Sequence, residues 1–334
     1  MTAVLFTCAG QRVDIVSEFD RAGATTIVAD ANPLAPALYA ADHQLLLPRV
    51  DDPGYVDALA RTVTEHDVRL IVPLTDLDHV VLARERVRLT ALGALVLLPA
   101  LDVVELCGDK YLAHLRFLEL GLPSPPTWLP ADLPPGAAFP LLVKARRGFG
   151  SRDIYTARDR RELDFFLGYT QAPSMIQQRC AGLEYSIDVF CDLRGRCLNA
   201  IPRTMIESKG GESIKGQTVR DSELIDHGRR VAEALGLVGP ATIQCFREPD
   251  GSLPITDINP RFGGAFPLPS AAGSRYAELA IALAIGDEPE PRLGEFTEGI
   301  VMTRFFSHVT LADDGTGLLR PVAEGLREPL ATER

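Results

Sequence analysis

The stretch that organises this chain reads Asp-Ile-Asn-Pro-Arg at residues 257–261. It ends a predicted strand over 253–259, which Pro260 terminates because proline has no N–H to donate to a strand ladder. A second strand is predicted over 241–247, and the intervening Glu-Pro-Asp-Gly-Ser at 248–252 is typical of a hairpin turn. We therefore expect an antiparallel hairpin in this part of the chain.

The length of the predicted turn fixes which side chains face each other across the hairpin. With a four-residue loop over Pro249–Ser252, Glu248 lies opposite Leu253, and counting back places Gln244 opposite Asp257. Directly opposed side chains in an antiparallel pair lie about 4.5–5.5 Å apart at Cβ. Gln244 and Asp257 are therefore expected to be neighbours.

Asn259 shares the strand face of Asp257 because side chains alternate along a strand, and Arg261 follows shortly after. The side-chain oxygens of Gln244, Asp257 and Asn259 are the kind of ligands that a hard cation such as Mg²⁺ prefers. An ordinary solvated hairpin face is the alternative, and the rest of the chain decides between the two.

The composition narrows the class of protein. A chain of 334 residues is long enough for two or three domains, and its net charge of −11 argues against nucleic acid or an anionic membrane as partner. The six cysteines form no C-x-x-C pair, the N-terminus resembles no secretory signal, and the longest apolar run is too short to span a bilayer. We expect a cytoplasmic protein.

Residues 1–100 alternate predicted strands with predicted helices, which favours a doubly wound parallel sheet. Such sheets bind ligands outside the carboxyl ends of their strands, where Gly10, Asp30 and Asp76 fall. A dinucleotide site is not favoured, because Gly10 stands where the fingerprint requires three glycines. A substrate-facing role for the loop 10–12 and Asp76 remains open beside a role as solvated loop residues.

A second informative stretch lies at residues 140–152, Pro-Leu-Leu-Val-Lys-Ala-Arg-Arg-Gly-Phe-Gly-Ser-Arg. Lys144 ends a predicted apolar strand, and a loop with Gly148, Gly150 and Ser151 follows it. Glycines let backbone N–H groups approach phosphate oxygens, and a lysine supplies a positive charge. The pattern is not a Walker A loop, and a simple glycine-rich turn is the alternative.

The order of the motifs is more specific than any one of them. It runs through Gly-Asp-Lys (108–110) before a helix, Leu-Gly-Leu-Pro-Ser-Pro (120–125), Val-Lys with its glycine loop, Gln-Gln-Arg-Cys-Ala-Gly-Leu-Glu (177–184), the Gln244 strand and Asp-Ile-Asn-Pro-Arg. This order resembles the ATP-grasp superfamily, especially members close to one half of the carbamoyl-phosphate synthase large subunit.

The resemblance implies an α/β ATP-grasp fold with an N-terminal doubly wound parallel-sheet domain (the pre-ATP-grasp domain), a small α+β lid and a larger α+β C-terminal domain. The expected boundaries are 1–100 for the N-terminal domain, 101–125 with 184–310 for the central and C-terminal domain, 126–183 for the lid, and 311–334 for a tail.

The resemblance also implies roles for individual residues, with ATP and Mg²⁺ as cofactors. The phosphates are expected to contact Lys110 and Lys144 under a mobile loop containing Gly148, Gly150 and Ser151. The nucleotide base and ribose are expected to contact Gln177 or Gln178, the backbone of Arg179 and Cys180, and Glu184. The expected Mg²⁺ ligands are Gln244, Asp257 and Asn259, and the groups expected to act on the transferring phosphate are Lys144, Asn259 and Arg261.

This chain departs from the family pattern in two places. The hinge, the segment expected to contact adenine, usually carries Glu where this chain has Gln177 or Gln178. The metal ligands usually include a Glu where Asp257 stands. Gln244 brings no charge, so a single carboxylate is expected on the metal face. This puts a second Mg²⁺ ion in doubt.

The implied activity is an ATP-dependent carboxylate–amine ligase that works on small substrates such as amino acids through an acyl-phosphate. Activation of bicarbonate to carboxyphosphate or carbamate is a second interpretation, and a nucleotide-binding regulatory module without turnover is a third. The expected partners are small-molecule carboxylates and amines, and a homodimer is common in the family. Candidate substrate contacts are Arg203, Lys209, Lys215, Arg261, Gly263 and Gly264.

Overall fold

The computed structural model describes residues 1–148, 154–209, 212–313 and 319–322. Its α-helices are α1 (Val13–Arg21), α2 (Tyr55–Glu65), α3 (His79–Arg84), α4 (Arg86–Ala91), α5 (Leu101–Cys107), α6 (Lys110–Glu119), α7 (Arg160–Tyr169), α8 (Ser222–Leu235), α9 (Pro267–Ala271) and α10 (Tyr276–Ala284). Short 3₁₀ turns cover Pro36–Ala40 and Pro130–Asp132.

The strands of the first half are β1 (Ala3–Thr7), β2 (Thr25–Asp30), β3 (His43–Leu46), β4 (Leu70–Pro73), β5 (Leu95–Val96), β6 (Thr127–Trp128), β7 (Leu141–Ala145) and β8 (Ile154–Ala157). Those of the second half are β9 (Ser174–Gln178), β10 (Leu183–Cys191), β11 (Cys197–Lys209), β12 (Glu212–Thr218), β13 (Gly239–Arg247), β14 (Ile255–Asn259), β15 (Val301–Thr303), β16 (Leu311–Asp313) and β17 (Leu319–Pro321).

The chain divides into two compact units. The first contains Met1–Leu101, Arg275–Glu290 and Arg304–Arg334, and the second contains Asp102–Ser274 and Pro291–Thr303.

The first unit is built on a parallel sheet with strand order β3-β2-β1-β4-β5. All residues of β4 are buried, as expected for a parallel strand covered on both faces. This confirms the doubly wound α/β class predicted for the N-terminal part. At the carboxyl edge, the Asp30 carboxylate accepts the N–H of Gly10 (2.8 Å) and of Asn32 (2.8 Å), so it braces the loop that follows β1.

The second unit contains a small antiparallel sheet of order β6-β9-β7-β8. Helix α7 begins after Asp159, whose side chain accepts the N–H of Glu162 as an N-cap. Leu163 of α7 packs with Leu141, Val143 and Ile176 of the sheet in a small core. The opposite face of this sheet carries Lys144 and Gln177, described below.

A larger antiparallel sheet of order β14-β13-β10-β11-β12-β15 forms the rest of the second unit. One of its faces is apolar and packs with α8: the shared core includes Ile187, Val189, Ile243, Cys245, Leu224, Val231 and Ala232. Asp221 caps α8 by accepting two backbone N–H groups, and the helix ends at Gly236 in the left-handed conformation. We call this apolar side of the sheet the core face.

The predicted hairpin is present as β13 and β14, and Gln244 lies directly opposite Asp257. The predicted pairing of Glu248 with Leu253 is wrong, because the Glu248 N–H donates to the Ser252 carbonyl. The turn is thus one residue tighter than expected. The pairing also shifts by one residue between Gln244 and Cys245. This shift compensates for the shorter turn, so Gln244 still lies opposite Asp257.

Within the residues that the structure describes, no helix combines the length and the hydrophobicity that crossing a membrane requires.

Candidate active site

The second face of the larger sheet is polar, and we call it the cavity face. Direct pairing aligns Asp257, Gln244, Ser186 and Arg203 in one row across four strands. A second row contains Asn259, Thr242 and Asp188. A cavity of about 490 Å³ is lined by residues of both rows and by residues of the small sheet. That volume falls in the usual range for small-molecule sites.

Two lysines bring positive charge to this cavity. The Lys110 ammonium lies 3.0 Å from Asp257 Oδ1 and donates to the Gly148 carbonyl at 3.3 Å. The Lys144 ammonium is buried and donates to Gln177 Oε1 at 2.8 Å. Burial lowers the pKa of Lys144, and the nearby Asp257 carboxylate opposes that shift.

Lys110 is held by the cap of the helix that it begins. The Asp109 carboxylate accepts the N–H groups of Tyr111 and Leu112 and receives Arg146 Nη2 at 2.7 Å, while the Lys110 N–H donates to the Arg146 carbonyl. Burial opposes the charged form of Asp109, but the hydrogen bonds from Arg146 and the helix N–H groups lower its pKa overall. The Gly-Asp-Lys motif therefore ties α6 to the end of β7.

The predicted metal ligands come together on β13 and β14. Asn259 Nδ2 donates to Asp257 Oδ2 (3.3 Å), and Arg261 Nη2 donates to Asn259 Oδ1 (3.3 Å). Gln244 stands opposite Asp257 in the register. The oxygens of these side chains suit Mg²⁺, and ATP phosphates would complete its coordination.

The predicted metal group carries little negative charge. The described residues contain no cluster of three or more His, Cys, Asp or Glu side chains able to hold a metal. Asp257 is the only acidic member of the Gln244, Asp257 and Asn259 group. Its carboxylate contacts the Lys110 ammonium through Oδ1 and the Asn259 amide through Oδ2.

One end of the cavity is formed by the segment that links β9 to β10. Ala181 donates its backbone N–H to Glu248 Oε1 at 3.0 Å, which fixes the link against the β13–β14 turn. A Cβ atom at Gly182 would lie 1.8 Å from the Arg247 carbonyl oxygen, so only glycine allows this approach. Burial raises the pKa of Glu184, although Lys144 and Arg203 oppose that shift. Burial also raises the pKa of Cys180 to about 12, which keeps its thiol neutral.

The two hinge glutamines have different environments. Gln177 lines the cavity, but its amide is occupied by Lys144 and by Thr127 Oγ1. The Gln178 side chain lies outside the cavity lining and donates to the Pro140 carbonyl at 3.3 Å. Consecutive strand residues point to opposite faces, so only one of the pair can face the cavity. Of the two, Gln177 is therefore the one whose side chain lines the cavity.

The far end of the cavity contains a buried ion pair. Arg203 Nε donates to Asp188 Oδ2 at 2.7 Å, and Thr242 Oγ1 donates to Asp188 Oδ1 at 2.8 Å. A Cβ atom at Gly263 would lie 2.5 Å from Thr242 Oγ1 and 2.8 Å from Asp188 Oδ1. Within the described residues, Arg203 Nη1 is buried without a hydrogen-bond acceptor.

Most predicted site residues line this one cavity: Lys110, Lys144, Gly148, Gln177, Arg179, Cys180, Glu184, Arg203, Gln244, Asp257, Asn259, Arg261, Gly263 and Gly264. Lys215 does not, because its ammonium lies 2.6 Å from Glu207 on the exposed side of the β11–β12 hairpin. Gly150, Ser151 and the side chain of Lys209 lie outside the described residues.

Sequence reasoning missed several residues of the site. Ser186 and Asp188 share the face of Glu184 at strand spacing, and that alternation could have identified them. Thr127 and Leu142 carry no local signal, because they join the site through strand pairing with the distant Gln177.

Two family models match the sequence. Residues 4–97 match the N-terminal domain of PylC-like proteins. Residues 170–305 match the family described as ATP-grasp in the biosynthetic pathway with Ter operon. The second match contains Glu184 and the whole Gln244, Asp257 and Asn259 group, and the two matches follow the order expected for the fold. The chain belongs to the ATP-grasp superfamily. The predicted fold class is confirmed.

Solved ATP-grasp structures superpose on most of the chain at low sequence identity. The biotin carboxylase domain of Hydrogenobacter thermophilus 2-oxoglutarate carboxylase, in complex with MgADP, ADP and bicarbonate, has a TM-score of 0.70 at 16% identity over 89% of this chain and 73% of its own. L-amino acid ligase from Bacillus licheniformis has a TM-score of 0.67 at 19% identity over 86% of this chain and 74% of its own.

Rhizobium etli pyruvate carboxylase has a TM-score of 0.70 at 14% identity over 90% of this chain, which spans only 30% of that longer protein. A search of curated protein sequences finds no significant match. At these identities the superpositions establish the ATP-grasp fold.

Proposed function

We propose that this ATP-grasp protein is an ATP-dependent carboxylate–amine ligase that joins small substrates through an acyl-phosphate. The observation that carries the proposal is the convergence of Lys110 and Lys144 with Asp257 and Asn259 at one cavity. Cations and hard oxygen ligands in the same place are what transfer of a phosphoryl group requires. Within the described residues, the cavity face offers no histidine-activated serine or cysteine as an alternative nucleophile.

The reaction takes place in two steps. A carboxylate oxygen of the acid substrate attacks the γ-phosphorus of ATP, and the bond from that phosphorus to the bridging oxygen of ADP breaks. The amine nitrogen then attacks the carbonyl carbon of the acyl-phosphate. Phosphate leaves with its oxygen, and the nitrogen loses a proton to give an amide or a peptide bond.

The residues of the chain act by position and charge in this scheme. Lys110 and Lys144 hold the phosphates, and Arg261, next to Asn259, offsets charge on the transferring group. Gln244, Asp257 and Asn259 hold Mg²⁺, which when bound neutralises charge on the β- and γ-phosphates. Glu184 accepts hydrogen bonds from the ribose hydroxyls at the other end of the cavity.

ATP and Mg²⁺ are the cofactors of this proposal, in line with the superfamily and with the MgADP complex of the Hydrogenobacter structure. The similarity to L-amino acid ligase supports amino acids as the substrate class. The buried Arg203, with one nitrogen lacking an acceptor, supports a carboxylate-bearing substrate at the far end of the cavity.

We also infer that the enzyme works in the cytoplasm. Cys107, Cys191, Cys197 and Cys245 are buried as thiols and not as disulfides, a usage that agrees with a reducing compartment. The partners are then small-molecule acids and amines. A homodimer remains a prediction.

A screen of phosphate release with MgATP across pairs of amino acids tests the proposal. We expect release that requires both an acid and an amine substrate and that Lys144→Ala abolishes. Release that requires bicarbonate and no second carboxylic acid would assign the carboxyphosphate chemistry instead. A folded protein that binds ADP but releases no phosphate with any pair would indicate a regulatory module.

A further inference from the structure

Two consecutive arginines follow strand β7, and their side chains lie in different environments. The Arg146 guanidinium donates to the Asp109 carboxylate from Nε (3.2 Å) and from Nη2 (2.7 Å), and it lies 5.5 Å from the centre of the Tyr111 ring. Among the described residues, the Arg147 side chain hydrogen bonds to Asp109 alone, through Nε at 3.4 Å. The Arg147 side chain is 73% exposed, against 27% for Arg146. Arg146 is therefore fixed in place, whereas Arg147 is loosely held.

The Asp109 carboxylate receives more donors than it has acceptor sites. Its Oδ1 accepts from the backbone N–H groups of Tyr111 and Leu112 and from Arg146 Nε. Its Oδ2 accepts from Arg146 Nη2 and from Arg147 Nε. A carboxylate offers about four lone-pair sites, so the fifth donor is in excess. Arg147 makes the longest of these contacts, and its release costs little because Asp109 keeps Arg146 and the helix N–H groups.

The loosely held arginine is also the one that lines the cavity. Within the described residues, the cavity lining includes Arg147 but not Arg146. The residue that follows, Gly148, accepts a hydrogen bond from the Lys110 ammonium through its carbonyl at 3.3 Å. The backbone at 147–148 therefore passes directly beside Lys110, one of the two lysines assigned to the nucleotide phosphates.

The two lysines do not offer their full positive charge to a phosphate. Lys110 lies 3.0 Å from Asp257 Oδ1, and Lys144 is attracted by both Asp257 and Glu184. Each carboxylate offsets part of the charge of the lysine that faces it. A nucleotide polyphosphate brings several negative charges to the same place, so a further cation would stabilise it. A guanidinium is suited to this, because its planar set of donors matches the oxygens of a phosphate.

We propose that Arg147 leaves Asp109 when the nucleotide binds and contacts its phosphates beside Lys110. This inference rests on the proposed function, to which it adds a phosphate contact. Arg146 stays on Asp109 and keeps the start of α6 in place. The two arginines therefore divide their work: one positions the helix that carries Lys110, and the other binds the ligand.

The test compares the binding of ADP and of adenosine by calorimetry, using the full chain with Mg²⁺. We expect Arg147→Gln to weaken ADP binding about 10-fold or more, the range for a hydrogen bond to a charged group. Adenosine affinity should stay at the wild-type value, because adenosine has no phosphate. Arg147→Lys keeps the charge without the planar set of donors and should weaken ADP binding by a smaller factor.

Two other arginines serve as controls. Arg161 is exposed on α7 outside the cavity lining, so Arg161→Gln removes the same charge and should leave both affinities unchanged. Arg146→Gln should lower the thermal midpoint, because it takes the main partner from the buried Asp109 carboxylate. Arg147→Gln should leave the midpoint near the wild-type value.

Three results would overturn the inference. One is an equal loss of ADP and adenosine affinity in Arg147→Gln, which would indicate a structural effect. Another is a loss of ADP affinity of the same size in Arg161→Gln, which would indicate a general effect of charge. The third is a fall in the thermal midpoint of Arg147→Gln as large as that of Arg146→Gln.

The wild-type measurement distinguishes this inference from the proposed function. If the wild-type chain does not bind ADP, both fail. If it binds ADP and Arg147→Gln binds it equally well, the phosphate contact of Arg147 alone is overturned.

Discussion

The two faces of the six-stranded sheet belong to the same strands but have different chemistry. On the core face, Ile187 and Ile243 pack with α8 and are fully buried. On the cavity face, their chain neighbours Ser186 and Gln244 line the site. Because successive side chains of a strand point to opposite faces, a residue that stabilises the core and a residue that lines the site are direct neighbours in the sequence. Substitutions on the two faces should therefore have separable effects.

The largest effect is expected on the cavity face at Asp257. Asp257→Asn removes the carboxylate of the metal group while keeping its shape, so Mg²⁺-dependent ADP formation should fall about 100-fold or more. The thermal midpoint should change little, because Asp257 and Lys110 are only partly buried. Activity assays and thermal melts check both parts. Normal ADP formation by this variant would remove Asp257 from the site.

Neighbouring substitutions on β13 make the comparison direct. Ile243→Ala should lower the free energy of unfolding by about 2–5 kcal/mol, because it opens a cavity in the core, and should leave ADP affinity unchanged. Gln244→Ala should do the reverse, weakening Mn²⁺ binding in the presence of ADP with little loss of stability. Denaturant unfolding and metal titration separate the two. Equal stability losses would show that the faces are not independent.

A histidine packed on the core face should make the free energy of unfolding depend on pH. Burial, and then the charge of Arg230, lowers the pKa of His227 on α8 to about 4. In the unfolded chain the imidazole takes up a proton below its usual pKa of about 6.5, whereas in the folded chain it stays neutral until the pH approaches about 4. The neutral state of His227 therefore contributes its full stability above about pH 6.5. As the pH drops to about 4, the free energy of unfolding falls by about 3 kcal/mol.

Melts of the wild type and of His227→Leu between pH 7 and pH 4.5 check this. The variant should lose less stability on acidification than the wild type. Parallel curves for the two proteins would contradict the assignment.

The smallest effect is expected at Lys215, which belongs to neither face. Its side chain is 48% exposed and pairs with an equally exposed Glu207, and such pairs contribute at most about 1 kcal/mol. Lys215→Ala should leave stability, ADP affinity and turnover near wild-type values. A large loss of turnover would restore the substrate role expected from the sequence.

The sequence predicted the parts of the site that depend on local patterns. The turn residues and strand alternation placed Gln244 opposite Asp257, although a tighter turn and a register shift had to cancel for the count to hold. The N-terminal sheet followed from the regular alternation of strands and helices. The order of the motifs identified the superfamily because the motifs lie on several separate strands, helices and loops of the fold.

What could not be predicted depends on pairing between distant strands. Gln177 meets Thr127 across 50 residues of sequence, and nothing local to either position indicates the contact. Lys215 faces Glu207 because the β11–β12 register shifts there, which no spacing rule anticipates. Alternation alone says that only one of Gln177 and Gln178 can face the cavity, and only the structure tells which one does.

Trapping the acyl-phosphate tests directly whether this protein activates a carboxylate. The chain is incubated with MgATP, hydroxylamine and each of a panel of amino acids, without a second amine. We expect at least one acid to give a hydroxamate together with an equal amount of ADP, and we expect Asp257→Asn to give neither. A hydroxamate formed with AMP in place of ADP, or none with any acid while the protein binds ADP, would contradict this expectation.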